Sequence, residues 1–192
     1  KAAFFSFTPP PPPDDDGSYL RWHLLDHMPE QYRLPGIQLG LRYLADADCI
    51  AARLVARGDL EGIGNLVNYL VGDPVQETHD DFMALGRRLA EVGRFPEHRP
   101  SLLLRMPALL AWSAAPRALI SGEVVPFRPH RGVLVVVEEP VAPDLGVWEQ
   151  WLDDEHRPAV LNGPGVAGIW RYGSTDAWDL HPLSQGDPLH IT

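Results

Sequence analysis

The chain carries one stretch twice. Residues 3–43 and 132–172 align without a gap at a constant offset of 129. Pro11, Asp15, Gly17, Trp22, His27, Pro29, Pro35, Gly36, Arg42 and Tyr43 fall on Pro140, Asp144, Gly146, Trp151, His156, Pro158, Pro164, Gly165, Arg171 and Tyr172. These ten identities in 41 positions include a Trp, a His and several turn-forming Gly and Pro, residues that seldom coincide by chance. The apolar pattern agrees, Phe4, Phe5 and Phe7 meeting Val133, Leu134 and Val136. A self-match at fixed spacing constrains architecture more than any local propensity, because each copy has to build the same supersecondary unit.

Two units of about 100 residues fit a chain of 192, and 45% hydrophobic residues suffice for a core. The net charge of −10 argues against nucleic acid and anionic membrane, both of which want basic surface. The single Cys49 excludes an internal disulfide and any cysteine-rich metal site. No apolar run approaches the roughly 20 residues needed to cross a bilayer. Lys1 to Phe7 is too short and too aromatic for the apolar core of a signal peptide, so a cytoplasmic protein is expected. The chain opens on Lys rather than Met, which leaves room for an earlier start.

The first copy reads as a strand over Phe4–Thr8, closed by the run Pro9–Pro13, which fits neither a central strand nor a helix interior. Asp14, Asp15 and Asp16 then offer negative charge to a helix start. The helix runs over about 18–32, with a kink or break expected at Pro29, and stops before Pro35–Gly36. Ile37–Leu44 alternates as a second strand, and 64–71 reads as a third, closed by Gly72, Asp73 and Pro74. Residues 78–92 form an amphipathic helix with Phe82, Leu85, Leu89 and Val92 on one face, and a fourth strand begins at 102–104. The order is βαββαβ, the ferredoxin-like unit.

Residues 113–130 read as a connector. Gly132–Glu138 opens the second unit as a strand, followed by a helix over 145–162, a strand over 166–172 and the start of another after Asp187–Pro188. The predicted domains are 1–112, the 113–130 connector and 131–192. The second unit lacks its second helix and last strand, so continuation past Thr192 or cover from a partner chain is expected.

The repeated helix carries the candidate chemistry. Both copies spell Trp, three residues, an acid, His, any residue, Pro. Helical spacing places Tyr19, His23 and His27 on one stripe, matched by Trp148, Leu152 and His156. An aromatic and a leucine on that stripe imply that it faces the sheet, which points the histidines inward as general acid or base candidates. They can equally be structural, bonding a helix carbonyl or the following loop. His27 has the better functional case because His23 sits one turn away. Asp26 and Glu155 read as surface partners for arginine, and Arg42 and Arg171 as outward-facing strand residues. His23 and His27 alone are too few for a metal, and His79 with Asp80 and Asp81 reads as a helix start. No phosphate loop, Gly-x-Ser-x-Gly elbow or dinucleotide fingerprint is present, so no cofactor is indicated.

With the repeated unit and Trp-x3-Asp/Glu-His-x-Pro followed by Pro-Gly and an Arg-Tyr strand, the chain resembles the EthD-like proteins of the dimeric α+β barrel superfamily. The Gly72–Asp73–Pro74 turn before the Phe82 helix is similar to that family's third-strand exit, and 187–192 to its entry. The likeness covers most of 3–106 and 132–192. It implies sheets packed face to face as a barrel with helices outside; here a tandem repeat would close a pseudo-dimer within one chain, leaving a homodimer open. Relatives include cofactor-free monooxygenases, isomerases, cyclases and dehydratases, haem-dependent enzymes, and members with no known activity, so fold does not choose among them.

The first functional reading is cofactor-independent acid–base chemistry on a small aromatic or polyketide-like molecule. His27 is the base, His23 and His156 are further catalytic candidates, and Trp22, Tyr43 and Trp151 form substrate-binding walls. The alternative is a non-catalytic binding or assembly module with structural histidines, and a third reading is a haem enzyme of the same superfamily.

Overall fold

The computed structural model describes residues 1–12, 17–97, 99–116, 120–139, 145–174 and 190–192. The predicted roles of Asp14–Asp16 and of Asp187–Pro188 lie outside them. The chain is mixed α+β and divides into two compact units, Lys1–Pro107 and Ala108–Thr192.

In the first unit, β1 (Ala2–Thr8), β2 (Ile37–Leu44) and β3 (Asn65–Val71) are followed by β4 (Leu104–Ala114), which runs on into the second unit. The strand order is β2-β3-β1-β4, with β3 antiparallel to both β1 and β2. Alternation sends Phe4, Ser6 and Thr8 to one face, joined across β3 by Val67 and Tyr69. Phe82 links that face to the helix α4 (Val75–Glu91), its ring lying 4.8 Å from Phe4 and 5.1 Å from Tyr69. Gly36, ahead of β2, is required by close approach: a Cβ there would overlap the Thr78 side chain of α4. Residues 45–64 add a short helix α3 (Ala47–Ala51), capped by the Asp46 carboxylate at the Cys49 amide, and a 3-10 turn over Gly58–Gly62.

The helix between β1 and β2 has three contiguous parts: α1 (Ser18–Trp22), a π turn over His23–His27, and α2 (Met28–Gln31). At Pro29, where the sequence leads one to expect a kink or a break, the helix runs on unbroken with a π turn just ahead of the ring. Proline lacks an amide and its ring collides with the carbonyl four residues back, so an α-helix tolerates it poorly. Here the Met28 amide reaches back five residues to the His23 carbonyl, and the wider turn admits the ring.

The second unit repeats this local structure. Its helix consists of α5 (Leu145–Trp151), a π turn over Leu152–His156, and α6 (Arg157–Leu161), with the Arg157 amide bonded to the Leu152 carbonyl. Gly165 closes the segment at φ 85°, a left-handed conformation suited to glycine. The remaining strands are β5 (Val137–Glu138), β6 (Ile169–Ser174) and β7 (His190–Ile191), in the order β4-β6-β7-β5. All their mutual pairings are antiparallel. Set against the first unit's own elements, β6-β7-β5 has the order of β2-β3-β1.

Three sequence expectations change. The strand predicted over Gly132–Glu138 shrinks to Val137–Glu138, because its ladder extends only where β7 offers a partner; Val136 and Thr192 exchange one further pair of backbone bonds. The connector is partly strand, β4 reaching Ala114, and partly a 3-10 turn over Gly122–Phe127. Arg42 and Arg171 do not face outward. Arg42 lies over the Tyr19 ring at 5.1 Å, and Arg171 is 3% exposed and lies over Trp148 at 4.3 Å. Alternation says that neighbours face opposite ways, not which way is in. An aromatic of the repeated helix supplies each guanidinium with a stacking surface.

Candidate active site

The first unit holds an open-mouthed cavity of about 660 Å³ between the β1–β3 face, the two helices and the segment after α4. That size suits a small organic molecule. Its walls are aromatic, with Phe4 from β1, Phe82 from α4, Trp22 from α1 and Phe95 from the loop beyond α4. Gly86 of α4 leaves part of the wall bare, since a Cβ there would meet no atom within 4 Å.

His23 and His27 both line this cavity, their rings 5.3 Å apart. His27 stacks on Trp22 at 4.9 Å with 21° between the planes, and its other neighbour Phe95 lies at 5.1 Å. In an α-helix residues i and i+5 point about 140° apart. The π turn removes that offset and brings Trp22 and His27 onto the same side. Burial lowers the His23 pKa to about 2, with the charges of Arg42 and His27 acting the same way. Burial also takes His27 to about 4, against the pull of Asp26 and with help from Arg99, Arg42 and Arg94. Both imidazoles are therefore neutral near pH 7, able to accept a proton and with none to spare as imidazolium.

Sequence reasoning missed the polar floor. Gln31 is 1% exposed and Tyr69 3%, and both line the cavity. Gln31 Oε1, the Tyr69 hydroxyl and His23 Nδ1 are buried with no hydrogen-bond partner among the described residues. Burial raises the Tyr69 pKa well above the ordinary phenol value, so its hydroxyl keeps its proton and can donate. Strand alternation could have placed Tyr69 beside Phe4, but nothing in the sequence set Gln31 apart from other helix glutamines.

The loop that lines one side of the cavity is tied to the histidine helix. Arg94 bonds Asp26 at 2.7 Å and Glu30 at 3.4 Å, while Trp22 Nε1 donates to the Arg94 carbonyl at 2.8 Å. Asp26 thus takes an arginine, as expected of it. Arg87, Arg99 and Arg105 also line the cavity, against one carboxylate among the described residues, Glu97.

The other candidates lie apart from this site. Tyr43 is not among the cavity's lining residues; alternation sends it to the opposite face of β2 from Arg42. His156 and Trp151 belong to the second unit, where their rings stack at 4.9 Å and 29° as Trp22 and His27 do in the first. Among the described residues no three His, Cys, Asp or Glu side chains converge to hold a metal ion, and no helix is long and apolar enough to cross a membrane. No protein-family model, curated protein or solved structure matches the chain.

Proposed function

We propose that the chain is an EthD-like protein of the cytoplasm whose first-unit cavity binds a small aromatic or polyketide-like molecule and performs acid–base chemistry on it without a cofactor. One observation carries this reading: a neutral histidine pair and open polar atoms on Gln31 and Tyr69 meet inside an aromatic cavity of about 660 Å³. His27, the more basic of the pair, takes a proton from an acidic C–H or O–H of the ligand. Tyr69 donates to the oxygen on which negative charge gathers, and Gln31 and His23 Nδ1 orient the bound molecule. The finer fold reading, two ferredoxin-like units descended from one and closing a barrel within a single chain, belongs to the same proposal. The aligned identities and the shared β2-β3-β1 order support it.

The repeated Trp–His stack favours a second reading, in which His27 is structural and the cavity only binds. Bicyclic phenols and ketones presented to wild type, Gly86→Trp and His27→Gln separate the two. Binding by wild type, loss of binding on filling the cavity, and loss of turnover but not of binding in His27→Gln support the enzyme. Turnover unchanged in His27→Gln removes His27 from the chemistry, and binding unchanged in Gly86→Trp removes the cavity.

A further inference from the structure

We propose that the ligand of this cavity is an organic anion, an aromatic or enolic carboxylate whose charged group sits on Arg99 and Arg105. The inference rests on the reading of the cavity as a small-molecule site. Arg99 and Arg105 both line it, Arg99 lying 4.5 Å over the Phe95 ring and Arg105 5.8 Å over Phe4. Among the described residues neither forms a salt bridge, and Arg105 Nε is buried without a hydrogen-bond partner.

A shortage of acids does not explain this. The chain has 26 acidic residues against 16 basic ones, and elsewhere arginines both exposed and buried find them: Arg94 takes Asp26 and Glu30, Arg157 takes Asp153, and buried Arg171 takes Glu138. Among the described residues, the arginines at the cavity are left without one. Burial and the nearby charge of Arg99 both lower the Arg105 pKa, so an anion between the two guanidiniums would relieve a real cost.

The chain also supplies its own comparison. Arg42 on Tyr19 and Arg171 on Trp148 are the same stack at the 129-residue offset. In the second unit Arg171 Nη1 holds Glu138 at 2.7 Å and the Thr192 hydroxyl at 2.6 Å. The residue aligned with Glu138 is Pro9, and all three guanidinium nitrogens of Arg42 are buried with no hydrogen-bond partner among the described residues. The charge of Arg42 reaches His23, His27 and Tyr69, all of which line the cavity. Among the described residues, the first unit thus shows no counterpart of the carboxylate that the second provides for itself. A planar guanidinium fork matches a carboxylate, and the aromatic walls call for a flat apolar body behind it.

The experiment measures binding of 2-naphthoate and of the isosteric neutral 2-naphthamide by calorimetry, to wild type, Arg99→Gln, Arg105→Gln and Gly86→Trp. The carboxylate should bind wild type about tenfold tighter than the amide or better. That ratio should fall towards one in each arginine variant, and both ligands should be lost in Gly86→Trp. Equal wild-type affinities, with both ligands lost in Gly86→Trp, overturn the anion and leave the cavity as a site. A preference retained in the arginine variants overturns the assignment to Arg99 and Arg105. No binding of either ligand to wild type sinks the cavity reading and this inference together. Should Arg105→Gln fold poorly, exposed Arg99 still decides.

Discussion

Trp22 and His27 lie in parallel, their ring centres 4.9 Å apart, although five residues separate them along one helix. Only the π turn over His23–His27 allows this, and Trp151 with His156 repeats it across Leu152–His156. The stack keeps water from one face of the His27 imidazole, and Phe95 covers another side. Replacing Trp22 by Ala should therefore cost about 2 kcal/mol in chemical denaturation and raise the His27 pKa from about 4 towards its ordinary value in an NMR titration. An unmoved His27 titration would show that Trp22 does not shield it.

The two histidines set a pH dependence with a definite sign. Their folded-state pKa values, about 2 and about 4, lie below the unfolded value of 6.5. As pH falls below 6.5 the unfolded chain binds protons that the folded chain refuses, so stability drops. His27 contributes to the loss down to about pH 4 and His23 on to about pH 2. The slope approaches about 1.4 kcal/mol per pH unit for each residue within its window. Urea midpoints of wild type and His27→Gln between pH 7 and 4 should diverge accordingly, the variant losing less on acidification.

Arg171 and Glu138 form a largely buried pair at 2.7 Å. Changing Glu138 to Gln leaves a buried cation without its counter-charge and should cost about 3 kcal/mol. The double variant Glu138→Gln with Arg171→Met should lose less than the single one, because the orphaned charge leaves as well. A double-mutant cycle in urea checks this.

Two glycines should respond to alanine in opposite directions. At Gly86, inside α4 with open space around it, the added methyl should stabilise by about 0.5–1 kcal/mol through helix propensity. At Gly36 the same methyl drives into Thr78 and should destabilise the fold. Thermal melts of the two variants suffice.

Much of this was legible in the letters of the chain. The paired Trp, His, Pro and Gly positions located both helices, and alternation gave β2 its bounds, Ile37–Leu44. Other features were hidden for physical reasons. A helix assumed regular at 3.6 residues per turn separates Trp22 from His27, so their contact could not be foreseen. Alternation cannot choose a face, so by sequence Arg42 and Arg171 read as outward, although aromatic rings hold them inward. Gln31, Tyr69, Arg99 and Arg105 come from four different segments and share no spacing; folding alone brings them round one cavity.

The wide turn also makes this helix respond unequally to a lost and to an added residue. Shortening 23–26 by one amino acid would restore regular winding and leave Trp22 and the imidazole of residue 27 four apart, still on one side of the helix. Met28 and Gln31 would keep facing the interior, because the wide turn holds one residue more than an α turn needs. An insertion at this spot, by contrast, would turn everything downstream by about 100° and carry those side chains out of phase.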